Sequence, residues 1–128
     1  MQTKHVYLND LHFEHSTWLR ELAFYSEELD ILENRLAEVA LKNTNDDIRN
    51  GVIDFQNRFV TLRNSMEVCK EQTQNHEHSL SEFAQDHPIA IEHRYFEDHT
   101  DLRDKMHDVA ASYAAIKKDF MRFVSANM

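Results

Sequence analysis

Apolar residues recur along this chain at alternating steps of four and three. The longest run is Ile48, Val52, Phe55, Phe59, Leu62, Met66, Cys69, Thr73, His76, Leu80 and Phe83, which keeps one phase from end to end. Residues three and four apart share a helix face, so this repeat is a heptad seam on one long helix. The seam is apolar for its first two-thirds and turns polar at Thr73 and His76. A seam on either side completes the pattern. The first reads Leu11, His15, Trp18, Leu22, Tyr25, Leu29, Leu32, Leu36 and Val39. The third reads Glu92, Tyr95, His99, Leu102, Met106, Val109, Tyr113, Ile116, Phe120 and Phe123. Leu19, Ile31 and Leu41 widen the first stripe, and Phe96, Ala110, Ala114 and Val124 the third, as expected of helices with two neighbours.

Local signals set the boundaries. Asn9 is a good N-cap with Asp10 in the first turn, and Leu8 and Phe13 are spaced as a hydrophobic staple. Residues 43–46 (Asn, Thr, Asn, Asp) make the clearest break, with Thr44 and Asp47 spaced as a capping box. Asp86, His87 and Pro88 end the second helix and start the third. The predicted helices span about 9–42, 45–85 and 88–126. Short connections make neighbours antiparallel. The expected fold is therefore all-α: one domain over residues 1–128, an elongated, left-handed, antiparallel up-down-up three-helix bundle with coiled-coil-like heptad seams. The weak segment is 72–79, which is polar throughout. A loop there would divide the bundle into four helices, but the unbroken phase from Cys69 through His76 to Leu80 favours a continuous helix.

Composition agrees. One glycine and one proline in 128 residues leave little turn chemistry for a sheet protein. The formal charge of −9 disfavours nucleic acid and anionic membranes, both of which are bound through Lys and Arg. No apolar run approaches a membrane span, and residues 1–10 lack the apolar core of a signal peptide. The single cysteine, Cys69, sits on the seam and has no intramolecular disulfide partner. A cytoplasmic protein is the expectation.

The candidate chemistry lies in the nine histidines. With the first turn at 43–46, His15 faces Gln74, within a turn of His76. With the second at 85–88, His76 faces Glu97, within a turn of His99. Each helix thus contributes a seam histidine to one layer: His15, His76 and His99. Imidazoles converging in a dry seam cannot all be protonated, and their lone pairs need hydrogen bonds or a metal. Three neutral imidazoles suit a transition metal, zinc first, with copper, iron or nickel as alternatives. His12, one turn before His15, is the candidate fourth ligand. Glu92 is one heptad, about 10 Å, from His99 and would belong to a second ion with His12, joined by His93 or His78. Glu77 and Asp98 flank the seam where they could orient a ligating imidazole. Trp18 and Tyr95 neighbour the layer as core residues. Cys69, about 10 Å from His76, is too far to share its ion. His5, His87 and His107 lie off the seam.

Two readings compete with a metal site. The histidines could form a metal-free buried polar layer that fixes register or responds to pH. Alternatively the bundle could serve interaction, as a homodimer or with another protein, through Phe13, Phe24, Val60, Val68 and Phe96. No dedicated general base or substrate pocket is legible, so the sequence leans away from an enzyme. Ferritin-like di-iron bundles carry Glu-x-x-His pairs, and none occurs here.

Overall fold

The computed structural model describes residues 3–86 and 93–127, with side chains placed for 9–83, 85 and 97–127. It contains α1 (Thr3–Lys42), α2 (Asp46–Asp86) and α3 (His93–Asn127), and each helix packs against the other two. Cross-helix partners establish the directions. Arg63 of α2 reaches Ser26 and Asp30 of α1, while His15 near the start of α1 meets Glu77 near the end of α2. Those two helices are therefore antiparallel. Lys117 pairs with Glu28, and Arg103 with Glu14, so α3 runs parallel to α1. The path is up-down-up, as the seams predicted.

The turn between α1 and α2 is closed by two asparagines. Asn45 Oδ1 accepts the backbone N–H groups of Asp47 (2.8 Å) and Ile48 (3.4 Å), which makes Asn45 the N-cap of α2. This differs from the Thr44–Asp47 box expected from spacing; Asn45 is one residue nearer the first free N–H groups. Asp46 and Asp47 occupy the first turn, where negative charge suits the helix dipole. Asn43 Nδ2 donates to the carbonyls of Val39 (2.9 Å) and Asn127 (3.2 Å), tying the end of α3 to the end of α1.

Three local expectations are corrected. α1 begins at Thr3, so Asn9 lies inside the helix and caps nothing. No Gly or Pro interrupts residues 3–8, and helix propagation costs little once a long helix is nucleated. Phe13 is 65% exposed, so it makes no staple. Ile31 and Leu41 are 65% and 87% exposed and do not widen the core. The buried stripe is a narrow seam, because three helices meeting at shallow angles leave their outer faces to solvent. Residues 72–79, by contrast, are helical throughout, and α2 is one unbroken helix.

The core follows the seams. Leu29, Val39, Phe59 and Phe120 are essentially inaccessible. Phe120 meets Phe55 and Phe59 edge-on, with ring centroids 5.3 Å apart in both pairs. Phe123 packs on Phe55 at 5.0 Å beside Gly51. A Cβ at Gly51 would lie 2.6 Å from the Phe123 ring. Gly51→Ala should therefore forfeit the gain of about 1 kcal/mol that Ala normally brings to a helix interior. Urea unfolding is expected to give a variant no more stable than the parent; a gain of the full amount would mean that the Phe123 ring moves aside freely.

Candidate metal centre

Near the end of the bundle opposite the α1–α2 turn, the polar part of α2 faces two histidines from its neighbours. Thr73 is fully buried, but its hydroxyl donates to the Cys69 carbonyl at 2.8 Å, so its own helix satisfies it. Burial also pushes the Cys69 thiol up, away from the thiolate a metal would require. The chemistry is left to the imidazoles.

His15, His76 and His99 are buried, and each offers a nitrogen within 4.8 Å of the other two. His15 Nε2 lies 3.1 Å from His99 Nδ1 and 3.2 Å from His76 Nδ1. The outer nitrogens of two rings face carboxylates. His15 Nδ1 is 2.7 Å from Glu77 Oε1, and His99 Nε2 is 2.8 Å from Glu14 Oε1. Trp18 stacks on His99, with centroids 4.9 Å apart and planes 25° from parallel.

Both carboxylates are held in ionised form. Burial raises Glu14, but hydrogen bonds and charge from Arg103 and His99 outweigh it and hold the group below its ordinary range. Burial likewise raises Glu77, and the bonds from His15 and His12 overcome it. An ionised carboxylate only accepts, so the facing imidazole nitrogens must carry hydrogens. Neutral His15 is then the Nδ1–H tautomer and neutral His99 the Nε2–H tautomer. Their inner nitrogens present lone pairs to one another across 3.1 Å. His76 Nδ1 can donate to His15 Nε2, but that leaves the His99 lone pair opposed. A metal cation between the rings, bound by both lone pairs, removes the conflict.

Other residues singled out by the sequence lie apart from this convergence. His12 has a largely exposed side chain and places Nδ1 2.6 Å from Glu77 Oε2, so it supports the carboxylate rather than joining the three nitrogens. His78 is exposed and pairs with Glu82 at 2.9 Å. Asp98 and His107 are on the surface. Glu92, His93, Tyr95, Phe96, His5 and His87 fall outside the residues with described side chains. Glu77 takes the orienting place expected of it. Glu14 and Arg103 were not anticipated. They occupy positions flanking the seams of two parallel helices, where opposite charges commonly pair, and that signal could have found them.

No protein-family model matches this chain, and no curated protein or solved structure matches it either. Among the described residues, no helix is long and apolar enough to cross a membrane.

The metal-free cluster should make the fold acid-sensitive. Burial holds His99 below its ordinary value of 6.5, with the Glu14 bond only partly opposing it. As pH falls below about 6.5, the unfolded chain takes up a proton that folded His99 resists, so stability declines. Glu14 and Glu77 continue the loss at lower pH, because their folded values are depressed. Urea unfolding of EDTA-treated protein at pH 7.5 and 5.5 is expected to give the lower midpoint at 5.5. Equal midpoints would mean that the folded cluster accepts protons as readily as the unfolded chain.

Proposed function

We propose that this bundle binds a transition metal ion, zinc first, through His15, His76 and His99. The observation that carries the reading is the opposition of His15 Nε2 and His99 Nδ1 at 3.1 Å while their outer nitrogens are committed to carboxylates. Hydrogen-bonding a ligating imidazole to a carboxylate is the usual outer arrangement of a metal site. The two short nitrogen–nitrogen edges, 3.1 and 3.2 Å, are close to the edge of about 3.3–3.4 Å implied by tetrahedral zinc with bonds of about 2.0–2.1 Å. The all-nitrogen donor set also suits copper, nickel or iron. His12 is not among the three converging nitrogens and would have to move toward them to serve as a fourth ligand. Each proposed ligand comes from a different helix, so the ion would staple all three together; storage or sensing would also fit such a site. The setting we propose is cytoplasmic, in keeping with the free, buried thiol of Cys69.

Elemental analysis of tag-free protein beside His76→Ala tests the reading. Near-stoichiometric metal in the parent that is lost from the variant is the expected result. A parent that carries none, and takes up none when zinc, copper or nickel is added, would overturn it.

A second reading, self-association, is favoured by the outer face of α1. Phe13, Phe24, Ile31 and Leu41 are exposed and lie along one stripe of the helix. Their placement is nearly symmetric about Glu27, so two antiparallel copies of α1 would oppose Phe24 with Ile31 and Phe13 with Leu41, as a two-fold interface requires. Sedimentation across concentration is the test, and a strict monomer would dismiss it.

A further inference from the structure

We infer that Glu14, clamped by Arg103, is a positioning residue that fixes His99 as the Nε2–H tautomer and thereby aims its Nδ1 lone pair into the histidine cluster. The inference rests on the metal-binding reading and assigns what controls affinity within it.

Two contacts restrain the His99 ring, and a third holds one of them in place. Trp18 covers one face at a centroid distance of 4.9 Å. Glu14 Oε1 takes the outer nitrogen at 2.8 Å. Glu14 is itself held from both sides, since Arg103 reaches Oε1 through Nη2 at 2.5 Å and Oε2 through Nε at 3.1 Å. That forked contact fixes the carboxylate plane, which a single-point charge would not do. The clamp also spans two helices. Arg103 stands one turn beyond His99 on α3, and Glu14 comes from α1 beside His15. Forming the α1–α3 contact therefore sets the orientation of one ring and the spacing to its neighbour together.

The imidazole has a second orientation available in principle, with hydrogen on Nδ1 and a lone pair on Nε2. In that state His99 would direct a hydrogen toward His15 Nε2, a metal-free hydrogen bond instead of a ligand. The Glu14 carboxylate excludes it, because an acceptor facing Nε2 requires hydrogen there. Glu14 thus selects between a closed, metal-free pair and a ligating one. Glu77 treats His15 in the same way, but its second contact is the exposed His12 ring. The Glu14 clamp is the more firmly built of the two.

The experiment compares the parent with Glu14→Gln and Arg103→Lys. Three readouts are needed: zinc affinity by competition with a chromophoric chelator, the melting midpoint of the metal-free proteins, and the tautomer of His99 from ring nitrogen shifts. Glu14→Gln keeps the shape and removes the charge, and its amide can turn its N–H toward Nε2. Zinc affinity is expected to fall by about 10- to 100-fold, the usual cost of losing an outer partner of a ligating histidine. The metal-free melting midpoint should fall only modestly, because the lost ion pair with Arg103 is part-exposed, and His99 should cease to be a single Nε2–H tautomer. Arg103→Lys keeps the charge without the fork and should show a smaller loss of affinity.

A parent that binds zinc while Glu14→Gln binds it equally well overturns the positioning role and leaves the metal reading standing. A parent that binds no zinc overturns both. Nδ1–H signals from His99 in the metal-free parent overturn the inference whatever the metal does, as does an affinity loss matched by a general fall in melting temperature of the metal-free variant.

Discussion

Zinc added to the metal-free protein is expected to raise its melting temperature strongly, and His99→Ala should abolish the response. An ion that binds only the folded chain stabilises it in proportion to the logarithm of one plus the ratio of its free concentration to Kd, about 4 kcal/mol at a thousand times Kd. Here the effect would fall on the whole bundle, because the three nitrogens come from α1, α2 and α3. Trp18 provides an independent signal. It is the single tryptophan of the chain and stacks directly on His99. Its emission should change during the same titration and level off once the site is filled, while the melting temperature goes on rising with the logarithm of free zinc. His99→Ala removes both the nitrogen and the stacking partner, so His76→Ala is the better control for the optical signal. A melting temperature that ignores zinc, copper and nickel in the parent would sink the metal reading. A shift that persists in both histidine variants would place the ion elsewhere on the protein.

Phe59→Ala should be the most damaging single change remote from the site. Phe59 is 2% exposed, sits in the middle of the α2 seam, and meets the edge of Phe120 at 5.3 Å. Replacing a buried phenylalanine with alanine typically costs about 3–5 kcal/mol, combining lost burial with the cavity left behind. Narrow seams between three helices collapse poorly around such a gap, because each neighbour is held by its own interlocked row. Phe24→Ala is the matched control. Its ring is 55% exposed, and a surface change of that kind usually moves stability by no more than about 0.5 kcal/mol. Urea unfolding of both variants measures the contrast. Comparable losses would mean that Phe24 is covered in solution, which would favour self-association through α1.

The two effects are separable because they lie at different heights in the bundle. Phe59 and Phe120 pack toward the α1–α2 turn, while the histidines lie toward the other end of the bundle. A Phe59→Ala protein that still folds should keep its zinc response. Proteolysis or hydrogen exchange would show whether the two ends also open independently.

Three long helices, their order and their up-down-up course were legible from the heptad phase alone. That phase is a local property: residues three and four apart share a face whatever the chain packs against. It carried the reading through residues 72–79, where propensity was poor, because Cys69, His76 and Leu80 stayed in register. The level of His15, His76 and His99 was also legible, since short turns fix which residues of antiparallel helices face each other. Boundaries were less so. α1 runs back to Thr3 through Asn9, and Asn45 rather than Thr44 caps α2, because capping depends on which side chain reaches the free N–H groups. What only the tertiary structure decided is the direction of each imidazole. Glu14 and Arg103 meet His99 from separate helices, and Glu77 takes both His12 and His15. Sequence periodicity specifies the face a side chain occupies. Which of its two nitrogens points inward depends on partners that folding alone brings within hydrogen-bond reach.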